Sequence, residues 1–103
     1  MSKMYIAVKD SAPTGLGVVA VAHAAVATFL TFQDTPAMPD WVTHSFKHVV
    51  YRVSDGQFEA LKEQADHVII TESAWAGQEI AIGFKPRPRE DWAPIFQCLS
   101  LYK

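Results

Sequence analysis

The chain has one cysteine, Cys98, among 103 residues, so no internal disulfide can brace it and its stability must come from a packed core. With no export-type segment at its start, that lone thiol suits a reducing compartment, and a cytoplasmic location is expected. Charge of either sign is sparse: 9 Lys and Arg stand against 11 Asp and Glu, a formal net charge of −2. That balance removes any global attraction to nucleic acid and leaves only a local basic patch to contact phosphate. No carboxylate or thiol cluster accompanies His44 and His48, and their spacing runs into a strand, so they read as surface histidines and no metal site is expected. No G-x-S-x-G element surrounds Ser73, which sits in ESAWAG, so water activation remains in place of a covalent serine. Repeats, linkers and low-complexity segments are absent too. With 50% of the residues apolar, one folded domain over residues 1–103 is expected.

What is present is organised around Gly15 to Phe32, GLGVVAVAHAAVATFLTF, with His23 as its one titratable group. A helix apolar on all sides must be covered on more than one side, so a central helix packed into a sheet is predicted. Val18, Val19, Ala22 and Val26 should then be buried, and any exposed stripe should follow the small residues Ala20, Ala24 and Thr28 and mark a homodimer contact. The run falls just short of the ~20 apolar residues of a membrane span, and its flanks carry Lys9, Asp10 and a proline-containing polar loop, so no membrane partner is expected.

In chain order, MYIAV (Met4–Val8) reads as a buried strand, and Thr14 as the N-cap of the central helix. Asp34, Pro36 and Pro39 end that helix and open a loop to Ser45, anchored by Trp41. FKHVVYRV (Phe46–Val53) is a strand, and Ser54 with Gln57 has the spacing of a capping box for a second helix whose face is Phe58, Leu61 and Ala65. VIIT (Val68–Thr71) and QEIAIGF (Gln78–Phe84) are strands joined by the ESAWAG turn, with Gly83 a close-contact point. KPRPR (Lys85–Arg89) reads as a solvated turn, and a last helix running to about Leu99 should bury Cys98. The order implies an α/β fold with a right-handed crossover and chemistry at the carboxyl edge of the strands. That edge gathers Lys9, Asp10, Glu72 and the start of the central helix.

Two features of the helix invite chemistry. Gly15-Leu16-Gly17-Val18-Val19-Ala20 matches a dinucleotide fingerprint, but Lys9 to Thr14 separate it from the strand and no acidic residue ends a second strand. The glycines are better read as permitting close packing, and no cofactor is expected. His23 reads either as a core histidine with one satisfied hydrogen bond or as a general base oriented by Lys9, Asp10 or Glu72.

Taken in order, these stretches resemble the type II peptidyl-tRNA hydrolases along nearly the whole chain. That family opens with an apolar strand, a Lys or Arg with Asp, and a glycine-led helix read roughly G-K-x-A-A-Q-x-x-H-A-A; here the stretches are YIAVKD and GLGVVAVAHAA. HVVYRVSDGQFEALKE, HVIITE and the closing LYK are similar to its later landmarks. The resemblance implies a three-layer α/β/α sandwich with a small mixed, mostly parallel four-stranded sheet. It implies hydrolysis of the ester between a peptide and the 3′ end of tRNA, at a site formed by His23, Lys9, Asp10 and Glu72. The family's lysine and glutamine fall on Leu16 and Ala20, its D-A-G-x-T acid on Glu72, and the rest of that loop is shortened to SAWAG. Loss of one such orienting or charge-stabilising group costs about 10²–10³ in rate, so activity is expected to be weak or lost and peptidyl-tRNA a weak partner. The alternative is a non-catalytic module that binds a small ligand or a protein.

Overall fold

The first strand, β1 (Ser2–Lys9), explains the layering. Its even residues Met4, Ile6 and Val8 join one core cluster, while Ala7 and the partly buried Tyr5 join the other. A strand covered on both faces reads as a continuous apolar run with no alternation. The computed structural model describes residues 2–102. The remaining elements are α1 (Thr14–Phe32), α2 (Ala37–His44), β2 (Lys47–Val53), α3 (Asp55–Leu61), β3 (His67–Glu72), β4 (Gln78–Phe84), β5 (Arg87–Pro88) and β6 (Ser100–Leu101). α1 and α2 cover the even-residue face through Ala20, Ala24, Met38 and Trp41. α3 and the C-terminal turns cover the other through Phe58, Leu61, Trp92 and Phe96.

The α/β sandwich is as expected, but the sheet is not. It has six strands in the order β3-β4-β1-β2-β6, with β5 pairing β1, where four were expected. It is also not mostly parallel: β1 and β2 pair in parallel, and every other pairing is antiparallel. The physical reason lies in the connections. The α1–α2 crossover returns the chain beside β1 in parallel, whereas the α3 crossover carries it to the far edge, where β3 meets only β4, joined to it by a tight turn and so antiparallel. The dipeptide strands β5 and β6 are too short to leave a pattern in the sequence.

α1 is inverted relative to expectation. Gly17, Ala20, Ala24 and Thr28 are buried against the sheet, while Val18, Val19 and Val26 are 59%, 55% and 59% exposed and Ala22 is exposed as well. Gly83 on β4 is the cause. A Cβ built there would run into the Thr28 hydroxyl and come within 3.2 Å of the Ala24 carbonyl oxygen. The helix axis therefore lies too close to the strand for any large side chain between them, and the valines are turned outward. By length and composition α1 could cross a bilayer, with a mean hydropathy of 1.9, but here its small-residue face lies along β1, β3 and β4.

Smaller corrections have local causes. Pro13, not Thr14, is the N-cap of α1, and no side chain caps it. The expected proline loop contains α2, because Pro36 is its N-cap and Pro39 falls in its first turn, where a missing N–H costs nothing. Trp41 anchors this segment as expected, its buried indole N–H donating to the Lys47 carbonyl at 2.9 Å. The Ser54–Gln57 capping box is formed in both directions, and α3 stops at Leu61. No α-helix closes the chain: Arg89–Asp91 and Pro94–Cys98 are 3₁₀ turns, and Cys98 is exposed rather than buried. The KPRPR turn is pinned, with Lys85 paired to Asp66 at 3.2 Å and the Arg87 guanidinium 4.7 Å over Trp92.

Candidate functional site

β1 and β2 run in parallel, and β3 has the same direction because it is antiparallel to β4, itself antiparallel to β1. Their carboxyl ends therefore share one edge, which gathers Lys9, Asp10, Ser54, Asp55 and Glu72 beside the start of α1. The loop after β1 is tied down there: the Asp10 N–H donates to the Val53 carbonyl at 2.7 Å and the Ser11 hydroxyl to Asp55 at 3.0 Å. The Lys9 ammonium lies 4.7 Å over the Phe58 ring, which puts it on the α3 side of the sheet. Lys62 shares that ring and pairs with Glu59 at 2.9 Å and with Glu79 at 2.5 Å. Glu79, first among the causes, and Glu59 raise the Lys62 pKa.

Glu72 stands at the end of β3, two strands from β1 and two residues further along the sheet, so its Cα is about 12 Å from that of Lys9 at ~4.8 Å per strand and ~3.3 Å per residue. Its carboxylate accepts the Ala74 N–H at 3.2 Å and caps the Ser73–Trp75 turn. The turn closes through Ala76 and Gly77, both left-handed at φ 57° and 70°. Trp75 and Leu16 are both partly buried against the α1-side core.

His23 is placed apart from the other three candidates. It is exposed on α1, about 13 Å along the helix from the edge at ~1.5 Å per residue, and across the sheet from the Lys9 ammonium. Lys9, Asp10 and Glu72 share an edge; His23 does not join them. The other two features of the histidine reading also separate. His44 bonds Asp40 in the same helix, and His48 lies edge-on to Trp41 and Phe46 at 5.0 and 5.4 Å.

Tyr102 was legible only as part of the closing LYK. Its backbone N–H donates to the Val50 carbonyl at 2.9 Å beside β6, and its hydroxyl donates to the Thr14 carbonyl at 3.3 Å. The ring occupies the space over Gly17, which is why no side chain stands there, and the Arg52 guanidinium lies 4.4 Å from its centre. The chain's end is thus clamped on the first turns of the helix that opens the candidate edge. Across residues 2–102 the chain matches the family described as Peptidyl-tRNA hydrolase PTH2. It belongs to that family. No curated protein matches it. Within the family's frame, the position where the resemblance puts a lysine is the half-buried Leu16, and the glutamine position is Ala20, fully buried under the helix. A glutamine at Ala20, which has no exposed surface, would carry its amide into the core. Trp75 of the SAWAG turn packs, like Leu16, against the α1-side core.

Proposed function

We propose that this chain is a divergent peptidyl-tRNA hydrolase whose ester-hydrolysing activity is weak or lost. The observation that carries the reading is Leu16, half-buried against the α1-side core at the position where the resemblance puts a lysine. A hydrolase of this family would hold there the cation that orients the ester and offsets developing negative charge. What remains at the edge is Lys9 as the cation, Asp10 beside it, and Glu72 as the group to draw a proton from water. His23 could act only on substrate lying across the outer face of α1. The expected site of action is the cytoplasm.

The test is turnover of peptidyl-tRNA by the wild-type chain, by Leu16→Lys, and by Glu72→Gln and His23→Ala. Wild-type turnover should lie at least about 10²-fold below that of an active family member. Leu16→Lys should raise it and Glu72→Gln abolish what there is. Restoring glutamine at Ala20 is not useful, because it would force an amide into the core. A wild-type rate equal to that of an active enzyme would end the reading, and loss of activity in His23→Ala alone would move the site onto α1.

A second reading, a binding module that pairs with another copy of itself, is favoured by the outer face of α1. Val18, Val19, Val26, Phe29 and Leu30 are exposed there, and Val42 and Phe46 continue the apolar surface across α2. A groove of about 290 Å³ runs between the two helices, walled by Val26, Phe29, Trp41 and Phe46. The 19 residues of α1 carry no Asp, Glu, Lys or Arg, so two such faces can meet without burying a charge. At ~1.5 Å per residue and ~10 Å of width per helix, α1 and α2 together present on the order of 400 Å² per copy, so two copies bury about 800 Å², the scale of a weak, reversible dimer. Sedimentation velocity should show a dimer that Val26→Glu converts to monomer. A monomeric wild type at high micromolar concentration would refute it.

A further inference from the structure

On the α3 side of the sheet, at the end of β1 opposite Lys9, is a concave pocket of about 470 Å³ with Lys3 and Arg89 at its polar rim. Six residues of β1 at ~3.3 Å each put it about 20 Å from the candidate edge. Behind the rim lies a largely buried aromatic group. Tyr5 stacks on Trp92 with ring centres 4.0 Å apart and planes 13° from parallel, Tyr51 meets Tyr5 edge-on at 5.3 Å, and Phe96 closes the group at 5.3 Å from Tyr5. The stack is held in place because the Trp92 indole N–H donates to the Arg87 carbonyl at 3.1 Å. Lys47 is in register with Lys3 on the neighbouring strand and adds a third cation on the same face. Among the described residues, no carboxylate pairs with Lys3, Lys47 or Arg89. In a chain of net charge −2, such a group of unpaired cations around aromatic rings is a local exception.

We infer that this pocket binds a nucleotide, with its phosphate against Lys3 and Arg89 and its base against Tyr5, the one ring of the group that is not buried. The chemistry matches on both counts. Guanidinium and ammonium groups make charge-assisted bonds to phosphate oxygens, and an aromatic side chain takes the face of any base. The volume is in the range of small-ligand sites. Gln97 on the rim supplies an amide that can both donate to and accept from a base edge. Burial, with Tyr5 as a smaller contributor, pushes the Tyr51 phenol up to about 12, which keeps it a neutral donor at any ordinary pH. The site stands apart from the Lys9–Glu72 edge, and its occupancy does not depend on hydrolysis.

The test is a ¹H–¹⁵N titration of the whole chain with AMP, and in parallel with inorganic phosphate, adenosine and a short single-stranded oligoadenylate. AMP should shift the Trp92 indole and the Gln97 side-chain amide and leave the amides of Lys9 and Glu72 in place. The double variant Lys3→Gln/Arg89→Gln, which alters only the rim, should melt like the wild type and bind AMP at least about tenfold more weakly. Tyr51→Phe keeps the ring and should weaken binding less. Oligoadenylate binding tighter than AMP would assign the pocket to the unpaired end of a strand, and equal affinity would assign it to free nucleotide; either supports the site. The inference is overturned if millimolar AMP shifts nothing, if the shifts fall on the Lys9–Glu72 edge, or if phosphate or adenosine alone binds as well as AMP.

Discussion

Replacing Gly83 with alanine tests the contact that sets the whole orientation of α1. The new methyl would be driven into the Thr28 hydroxyl and placed 3.3 Å from Thr28 Cβ and 3.2 Å from the Ala24 carbonyl oxygen. Rotating Thr28 would not relieve the contact with the Ala24 carbonyl oxygen, which is backbone. The helix must lift off β4, and overpacking of this kind costs about 1–3 kcal/mol. For a chain of this length each kcal/mol lowers Tm by roughly 4–8 °C. Thr28→Ala supplies the control. The Thr28 hydroxyl is buried with no hydrogen-bond partner among the described residues, a condition costing about 1–3 kcal/mol, while the lost methyl forfeits about 0.8 kcal/mol of burial. The single change should therefore be neutral or mildly stabilising, and in the Gly83→Ala background it should restore much of the loss. Thermal and urea unfolding of the four proteins would give the coupling energy, expected at about 1–2 kcal/mol. If Gly83→Ala melts within about 2 °C of the wild type, α1 does not ride on β4 as described.

Three further outcomes follow from other contacts. Tyr102→Ala should lower stability by about 2–4 kcal/mol, by emptying the space over Gly17 and freeing β6, whereas Tyr102→Phe should cost only about 1 kcal/mol in urea unfolding. Burial lowers the His48 pKa below 6.5, the Phe46 backbone bond opposing it only in part. The unfolded chain then binds the extra proton first, so stability should be full above about pH 6.5 and fall as pH drops through the folded value; His48→Gln should flatten that slope in melts across pH 5–8. Binding of tRNA should be weak and fall steeply with added salt in filter titrations, and tight binding persisting well above physiological salt would contradict the charge distribution.

The strands, the capping box and the carboxyl edge were legible because each rests on local chemistry. HVVYRV is a strand by its β-branched and aromatic residues, and Ser54 finds Gln57 three residues on. Lys9, Asp10 and Glu72 could be put at one edge because short strands ending in polar residues leave them nowhere else. The family was legible for a related reason, since the order of several short motifs survives where no single motif is decisive. What stayed hidden depends on partners far along the chain. The Tyr5–Trp92 stack joins residues at opposite ends of the sequence, and the dipeptide strands exist only as additions to edges already built.

The face of α1 shows why composition could not decide the matter. A helix of Val, Ala and Gly has no polar side to mark its exterior, so hydropathy gives its rotation no preferred direction, and steric fit chooses. Gly83 and the Ala24 carbonyl leave room for nothing larger than threonine, so the small residues, which seemed the natural contact stripe between copies, are spent on the sheet. The valines are left outside, where solvent alone would disfavour them. That same rotation carries His23 outward with the valines and away from Lys9. A histidine in the family's position therefore does not by itself make a hydrolase site here. The exposed face from Val18 to Leu30, about 18 Å long at ~1.5 Å per residue, is what the proposed dimer would cover, since a second, uncharged copy of the same face would meet it without burying any ion.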